Sequence, residues 1–398
     1  MQVMSIVRQM VMVGLLLVLV AVGEADQRIC TIPYSDEQKP LHFMVRLESG
    51  EGEAVYAPTI LLVDPQGRYA YVISSGSSQT ITVDIKNKKP LADTIGSNMN
   101  SRVDADGNLW YVIDSKKDVG NHEEIIFHFC ITSPLGWEKT PDTLRQKYSW
   151  IKEMKLDSRD INFELEWFID LKEANGNIYF LWHATDKNNH DDIIVNLLTK
   201  EEIYRANDIL LIHSFMPFVK DELIYIYGDL PCDKFKDLPS VVEKLSDGTN
   251  RELTNYCGRK IEVYNLQTRK LVRQYQLPAS GQLSPEEKNA GEAYTHLRMD
   301  GRGHHYVEVV PNGAERQILE TEFGEMVVSP RLILEYDVSG QFVGVRGKVY
   351  CPSFYGVETG DKTYWDVDKA GNLYYLQWTK NGVEVWLSPA KSAAKQPQ

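Results

Sequence analysis

The chain has 398 residues, a formal net charge of −13, 25% charged residues, 43% hydrophobic residues and 10% aromatics. This is ordinary globular composition, which excludes a wholly disordered, collagenous or coiled-coil protein and leaves length for one large domain or two to three average ones. The acidic balance argues against a nucleic-acid or anionic-membrane partner, because long-range repulsion opposes docking unless a basic patch offsets it.

Met1 to Gln9 carries one cation, Arg8, and Met10 to Val22 is an uninterrupted apolar run of 13 residues followed by Gly23, Glu24 and Ala25. That order is the pattern of a secretory signal peptide over residues 1–25, with cleavage after Ala25. A membrane span needs about 20 apolar residues, so the run is short for an anchor. The mature chain is therefore expected in the periplasm or outside the cell, without stable membrane insertion. Residues 26–390 are expected to form one domain, with residues 391–398 as a flexible tail.

The 21 Tyr and 8 Trp favour β-structure, and a strand–turn–strand unit recurs along the chain. It reads Leu61-Leu-Val-Asp-Pro-Gln-Gly67-Arg-Tyr-Ala-Tyr-Val-Ile73, then Arg102-Val-Asp-Ala-Asp-Gly107-Asn-Leu-Trp-Tyr-Val-Ile113. It returns over residues 170–182 around Gly176 and over residues 365–377 around Gly371. Weaker copies cover residues 296–307, with Gly303, and residues 215–227. The glycine supplies the positive φ of a tight turn. A third strand follows each copy: residues 80–85, 124–130, 192–197, 260–265, 331–336 and 383–387. Six four-stranded units then fill the chain, and the last is short of one strand, which His42–Leu47 is expected to supply by closing a ring.

Insertions interrupt the repeat at residues 132–163, 229–256 and 311–330. Leu144, Tyr148, Ile151 and Met154 stand at helical spacing in the first, which predicts an amphipathic helix. The five cysteines contain no Cys-x-x-Cys pair and no zinc spacing. Cys232 and Cys257 bracket a polar stretch expected to contain a helix, and a disulfide between them would restrict the unfolded chain. Cys30 with Cys351 would tie the two ends together.

The repeated unit resembles that of the NHL and YncE-like β-propellers, roughly Val-Asp-x-x-Gly-Asn-Ile-Tyr-Val followed by an Asp. Val103, Asp104, Gly107, Asn108 and Leu109 match, as do Val367, Asp368, Gly371, Asn372 and Leu373. The resemblance implies an all-β, six-bladed β-propeller with an N-terminal strand closing the last blade and small helical insertions. It departs from the family where the acid would stand: Ser74, Asp114, His183 and Trp378 occupy that place, and only one of them is acidic.

No Gly-x-Ser-x-Gly elbow, His-Glu-x-x-His, Gly-x-x-x-x-Gly-Lys or Gly-x-Gly-x-x-Gly occurs. Asp104 to Asn108 reads as turn chemistry, because Leu109 and Ser115 stand where a calcium loop needs Gly and Glu. The stretch from His183 to Asp192 holds two imidazoles and three carboxylates, among them Asp186, His190 and Asp192. These are residue types that serve a divalent cation or acid–base chemistry, although no close ligand spacing is met. Connections between second and third strands should all emerge on one face, which would gather Asp114, His183, Asp186, His190 and the Cys232–Cys257 insertion there. His304 and His305 are expected to be exposed at the opposite end.

The leading expectation is a noncatalytic exported propeller that needs no cofactor and binds a protein, peptide or glycan through that face. The alternative is a metal-dependent hydrolase or lactonase with its site at the channel mouth. A structural envelope component acting by assembly is the third reading.

Overall fold

The structure is a computed structural model describing residues 26–33, 60–74, 79–95, 101–118, 123–136, 153–157, 170–174, 177–185, 190–196, 201–206, 218–220, 222–230, 241–244, 250–253, 257–268, 270–278, 290–292, 297–321, 324–352 and 363–390. All regular structure among the described residues is strand. Strand β1 (Gln27–Pro33) comes first in the chain. The first sheet follows as β2 (Ile60–Val63), β3 (Tyr69–Ser74), β4 (Gln79–Asp84) and β5 (Lys89–Ile95), paired in that order. The second is β6 (Arg102–Val103), β7 (Leu109–Asp118), β8 (Glu123–Thr132) and β9 (Glu153–Asp157). The third is β10 (Asp170–Ala174), β11 (Asn177–Thr185), β12 (His190–Asn196) and β13 (Glu201–Ala206).

In the fourth sheet, β14 (Phe218–Lys220) and β15 (Leu223–Asp229) are separated by a hairpin, β16 (Val241–Lys244) and β17 (Asn250–Leu253), from β18 (Gly258–Asn265) and β19 (Leu271–Pro278). The fifth sheet starts with β20 (Ala290–Glu292) and β21 (Arg298–Met299), both paired to β22 (His305–Pro311). After β23 (Ala314–Glu315) and β24 (Gln317–Thr321) it is completed by β25 (Gly324–Tyr336) and β26 (Phe342–Pro352). The last sheet is β27 (Trp365–Val367), β28 (Leu373–Thr379) and β29 (Gly382–Ser388), with β1 antiparallel to β29.

The first strands lie innermost and touch one another. β2 packs on β6, β6 on β10, β10 on β14, and β27 on both β21 and β2. The contact between the last and first sheets includes a parallel bridge, Ile60 to Thr363. Antiparallel meanders packed side by side with parallel first strands innermost are the architecture of a β-propeller. The burial pattern follows from it. Strands flanked by sheets on both sides are continuously buried, as in Ile60–Val63 and His305–Val310, whereas β1 alternates at the outer edge.

The core is accordingly a series of layers between sheets. Ile60, Leu62, Tyr71, Ile73, Leu109 and Tyr111 join the first sheet to the second. Tyr225, Tyr227, Ile261, Val263, Val307 and Leu334 belong to the layer joining the fourth to the fifth. The largest layer runs from the fifth sheet through the last to the first and contains Trp365, wholly buried.

Four expectations change. The strand beside β29 is Gln27–Pro33, while His42–Leu47 lies outside the described residues. An edge strand needs only one buried face, so the modestly apolar Ile29, Cys30 and Ile32 suffice. Met154 sits in β9 opposite Phe127, so it is a strand residue; Leu144, Tyr148 and Ile151 lie outside the described residues. The described part of the 229–256 insertion is the β16–β17 hairpin in place of a helix. Val241 and Val242 stand opposite Leu253 and Glu252 in the ladder, and β-branched residues favour strands. Finally, Cys30 and Cys351 are both buried free thiols, so they do not tie the ends. No helix among the described residues is long and apolar enough to cross a membrane.

Candidate functional site

One face of the molecule carries the turns between first and second strands. Asp64, Asp104, Asp300 and Asp368 open these turns and are buried, each three residues before a glycine. The glycine amide donates to the aspartate carbonyl in all four, at 2.8 Å in Gly67, 3.0 Å in Gly107, 3.1 Å in Gly303 and 3.0 Å in Gly371. Each carboxylate accepts the amide four residues on: Arg68, Asn108 at 2.7 Å, His304 at 3.0 Å and Asn372 at 2.9 Å. An aromatic donor six residues on completes three of them, Trp110 Nε1 at 2.9 Å, Tyr306 OH at 3.0 Å and Tyr374 OH at 3.1 Å. Burial and the adjacent carboxylates push both phenols up, so they stay protonated and donate. These oxygens are occupied by the protein's own donors, and the Asp104 cluster is a turn, as its spacing predicts.

The turns also bind each other around the ring. Lys220 Nζ donates to Gly301 O at 2.8 Å, Gly301 N to Lys369 O at 3.0 Å, and Lys369 N to Pro65 O at 2.9 Å. Arg68 Nη2 then reaches Ala105 O at 3.2 Å, and Tyr71 OH donates to Gly107 O. The fourth, fifth, last, first and second sheets are thus linked in succession. The sequence reading recognised the glycine but missed the aspartate as the anchor. The recurrence of Asp at Gly minus three, with an aromatic at Gly plus three in three of the four turns, was the available signal.

This arrangement makes a sharp prediction. Gly371 has φ +83°, and a Cβ there would meet the Arg302 guanidinium and lie 2.7 Å from Asp300 Oδ2 of the neighbouring turn. Gly313 has φ +71° but open space around it. Gly371→Ala should cost about 3 kcal/mol, left-handed strain plus displacement of the neighbour, and Gly313→Ala about 1 kcal/mol. Urea unfolding of the two variants measures the difference; equal losses would contradict the interlocked turns.

The other face carries the connections between second and third strands. His183 is in β11 opposite Asp192, and His190 starts β12 opposite Thr185, so both belong to one hairpin. Asp186 lies outside the described residues. Asp114 is in the preceding sheet, inside β7 opposite Phe127, and not in a loop as expected, because β7 and β8 extend their ladder to Asp118 and Glu123. Among the described residues no group of three or more His, Cys, Asp or Glu is placed to hold a metal ion.

Two insertions on this face meet. β16, between the second and third strands of the fourth sheet, pairs in parallel with β23, in the same position of the fifth, through Glu243–Ala314 and Lys244–Glu315. Val242 N donates to Asn312 Oδ1 at 3.0 Å, and Gly313 N donates to Val242 O at 2.9 Å. The result is a small mixed sheet, β17-β16-β23, spanning two larger ones. Cys257, buried, directly precedes β18 and is not among the free thiols of the described residues, which are Cys30, Cys130 and Cys351. Cys232 lies outside the described residues.

His305 corrects another expectation. It is fully buried, with its ring 5.6 Å from that of Tyr275, 6.1 Å from Tyr227 and 6.3 Å from Tyr225. As the first residue of β22 it inserts from the fifth sheet into the fourth. His304 is the residue at the surface side, with Nδ1 2.8 Å from Glu335 Oε1. A His-His pair at a turn reads as exposed unless the neighbouring sheet is known to present three tyrosines.

No family model matches the chain, the NHL family included, and no curated protein matches it. Solved structures give distant likenesses. A subtype N10 neuraminidase-like protein of A/little yellow-shouldered bat/Guatemala/060/2010 aligns at a TM-score of 0.39 with 8% identity, over 88% of this chain and 98% of that one. Kuenenia stuttgartiensis hydrazine synthase aligns at 0.37 with 10% identity, over 87% of each chain. The Dos1 propeller aligns at 0.33 with 8% identity, over 84% and 79%. Likeness at this level carries no argument; the propeller architecture rests on the sheet order and on the contacts among first strands.

Proposed function

We propose that the chain is an exported, noncatalytic six-bladed propeller of residues 26–390, closed by β1, that binds a protein, peptide or glycan on its insertion-bearing face. The reading takes residues 1–25 as a cleaved signal peptide and Cys232–Cys257 as a disulfide that fastens the larger insertion. No cofactor is invoked. Closure is supported by the β1–β29 ladder and by the Ile60–Thr363 bridge between the last and first sheets. The observation that carries the binding reading is the β17-β16-β23 sheet, in which insertions from adjacent meanders join across a rigid scaffold. Elaborated connections on one end of a rigid scaffold are where such folds recognise ligands. The hairpin holding His183 and His190 opens on the same end and adds titratable groups.

Glycan and peptide arrays test this. The exported chain should bind a defined class. A variant with residues 236–254 replaced by a short Gly-Ser linker should lose that binding at least about tenfold with little change in thermal midpoint. His183→Ala with His190→Ala should weaken the same binding and spare stability. Undiminished binding in both variants, or consumption of the bound compound, would refute the proposal.

A further inference from the structure

The boundary between the fourth and fifth sheets carries polar contacts along its length. At the turn face, Lys220 reaches the carbonyls of Asp300 and Gly301 at 3.4 and 2.8 Å. At the insertion face, β16 pairs with β23. Between them His305 fills a niche of Tyr225, Tyr227 and Tyr275. Its Nε2 lies 2.7 Å from Tyr275 OH, while Nδ1 and the Tyr227 hydroxyl are buried with no partner in the protein.

That geometry suits only a neutral ring. With Nε2–H donating to Tyr275, Nδ1 keeps a lone pair, and protonation would place a second N–H against nothing that accepts it. The groups around it add to the cost. Burial is the largest contribution to a pKa lowered to about 3, followed by the positive charge of Arg273; His304 and Lys220 act the same way, and only Asp300 opposes them. Tyr227 and Tyr275 are pushed up by burial and stay neutral. Arg273 lies over the Tyr225 and Tyr275 rings at 5.9 and 5.3 Å, so a second cation is already held against this niche.

We propose that this boundary is an acid-released joint: proton uptake by His305 parts the fourth and fifth sheets, and with them the β16–β23 pairing, while the rest of the ring stays folded. It goes beyond the binding reading and holds whatever the face binds. The sign follows from linkage. The exposed imidazole of the parted state titrates near 6.5, so that state takes up a proton the closed one does not. The closed form is at full strength above about pH 6.5 and weakens as pH falls towards about 3, with the opening constant rising about tenfold per pH unit between them.

Hydrogen exchange of the wild-type chain at pH 7, 6, 5 and 4, corrected for intrinsic amide chemistry, reads this directly. Peptides covering β15, β18, β22 and β16 should lose protection about tenfold per unit below pH 6, whereas β3 and β4 should not. In His305→Phe, which keeps an aromatic ring in the niche, the acid step should vanish; His305→Gln serves the same test if the first variant folds poorly. Protection at the boundary that is unchanged down to pH 4, loss in step with β3 and β4, or an acid step that survives replacement of His305 would each overturn the proposal. Array binding measured at pH 7 is independent of all three outcomes.

Discussion

A chain lacking residues 26–33 is expected to lose cooperative folding. β1 contributes Ile29, Cys30 and Ile32 to the largest core layer, and its removal exposes the β29 edge, including Val383 and Val385. Burial of two isoleucines and a cysteine, with the apolar surface they cover, contributes about 5 kcal/mol. That compares with about 5–15 kcal/mol for a whole domain. The surface ion pair Arg28–Glu384 at 2.9 Å adds little, since Arg28 is 58% exposed. The measurement is thermal unfolding by near-ultraviolet circular dichroism, with and without a synthetic peptide spanning Asp26–Pro33. The deletion should melt broadly and early, and the peptide should restore the transition. A wild-type midpoint in the deletion would mean that the N-terminal strand is decoration.

The second large effect concerns Asp366 on β27. Its Oδ1 pairs with Arg298 Nε of β21 at 3.0 Å and accepts Val367 N at 2.9 Å, and its Oδ2 accepts Val63 N of β2 at 2.8 Å. One carboxylate therefore holds the inner strands of three sheets, with both charged side chains close to nine-tenths buried. Asp366→Ala removes, at a buried site, the acceptor shared by the Arg298 guanidinium and the Val63 and Val367 amides, and should cost about 3–5 kcal/mol. Asp366→Asn retains an acceptor and should cost about half as much. In a double-mutant cycle with Arg298→Ala, a coupling of at least about 1 kcal/mol is expected in urea unfolding. Strict additivity would show that the pair is incidental.

The periodic features were legible in the sequence. The copies around Gly67, Gly107, Gly303 and Gly371 each fall on a first-to-second-strand turn, and the six third strands match β4, β8, β12, β18, β25 and β29. Alternation and turn chemistry are local properties, which is why one chain suffices to read them. Features made by contact between sheets were not legible. Nothing local distinguishes Gln27–Pro33 from His42–Leu47 as the strand beside β29, because the choice depends on which side chains find a face to bury. His305 reads as exposed until Tyr225, Tyr227 and Tyr275 are seen around it, and Asp366 reads as one more strand acid until Arg298 and Val63 are seen on either side. For the site, the sequence located the insertions and the His183–His190 hairpin. The joining of two insertions through β16 and β23 is a tertiary fact, set by Asn312 and Val242 across 70 residues of chain.

The central claim is that recognition takes place on the insertion-bearing end. The most direct measurement is a hydrogen-exchange footprint of the wild-type chain with and without the glycan or peptide selected on the arrays. The account predicts protection in residues 230–257 and 312–327 and in the β11–β12 hairpin, with the turns at Asp64, Asp104, Asp300 and Asp368 unaffected. Protection confined to those turns, with none in the insertions, would contradict it.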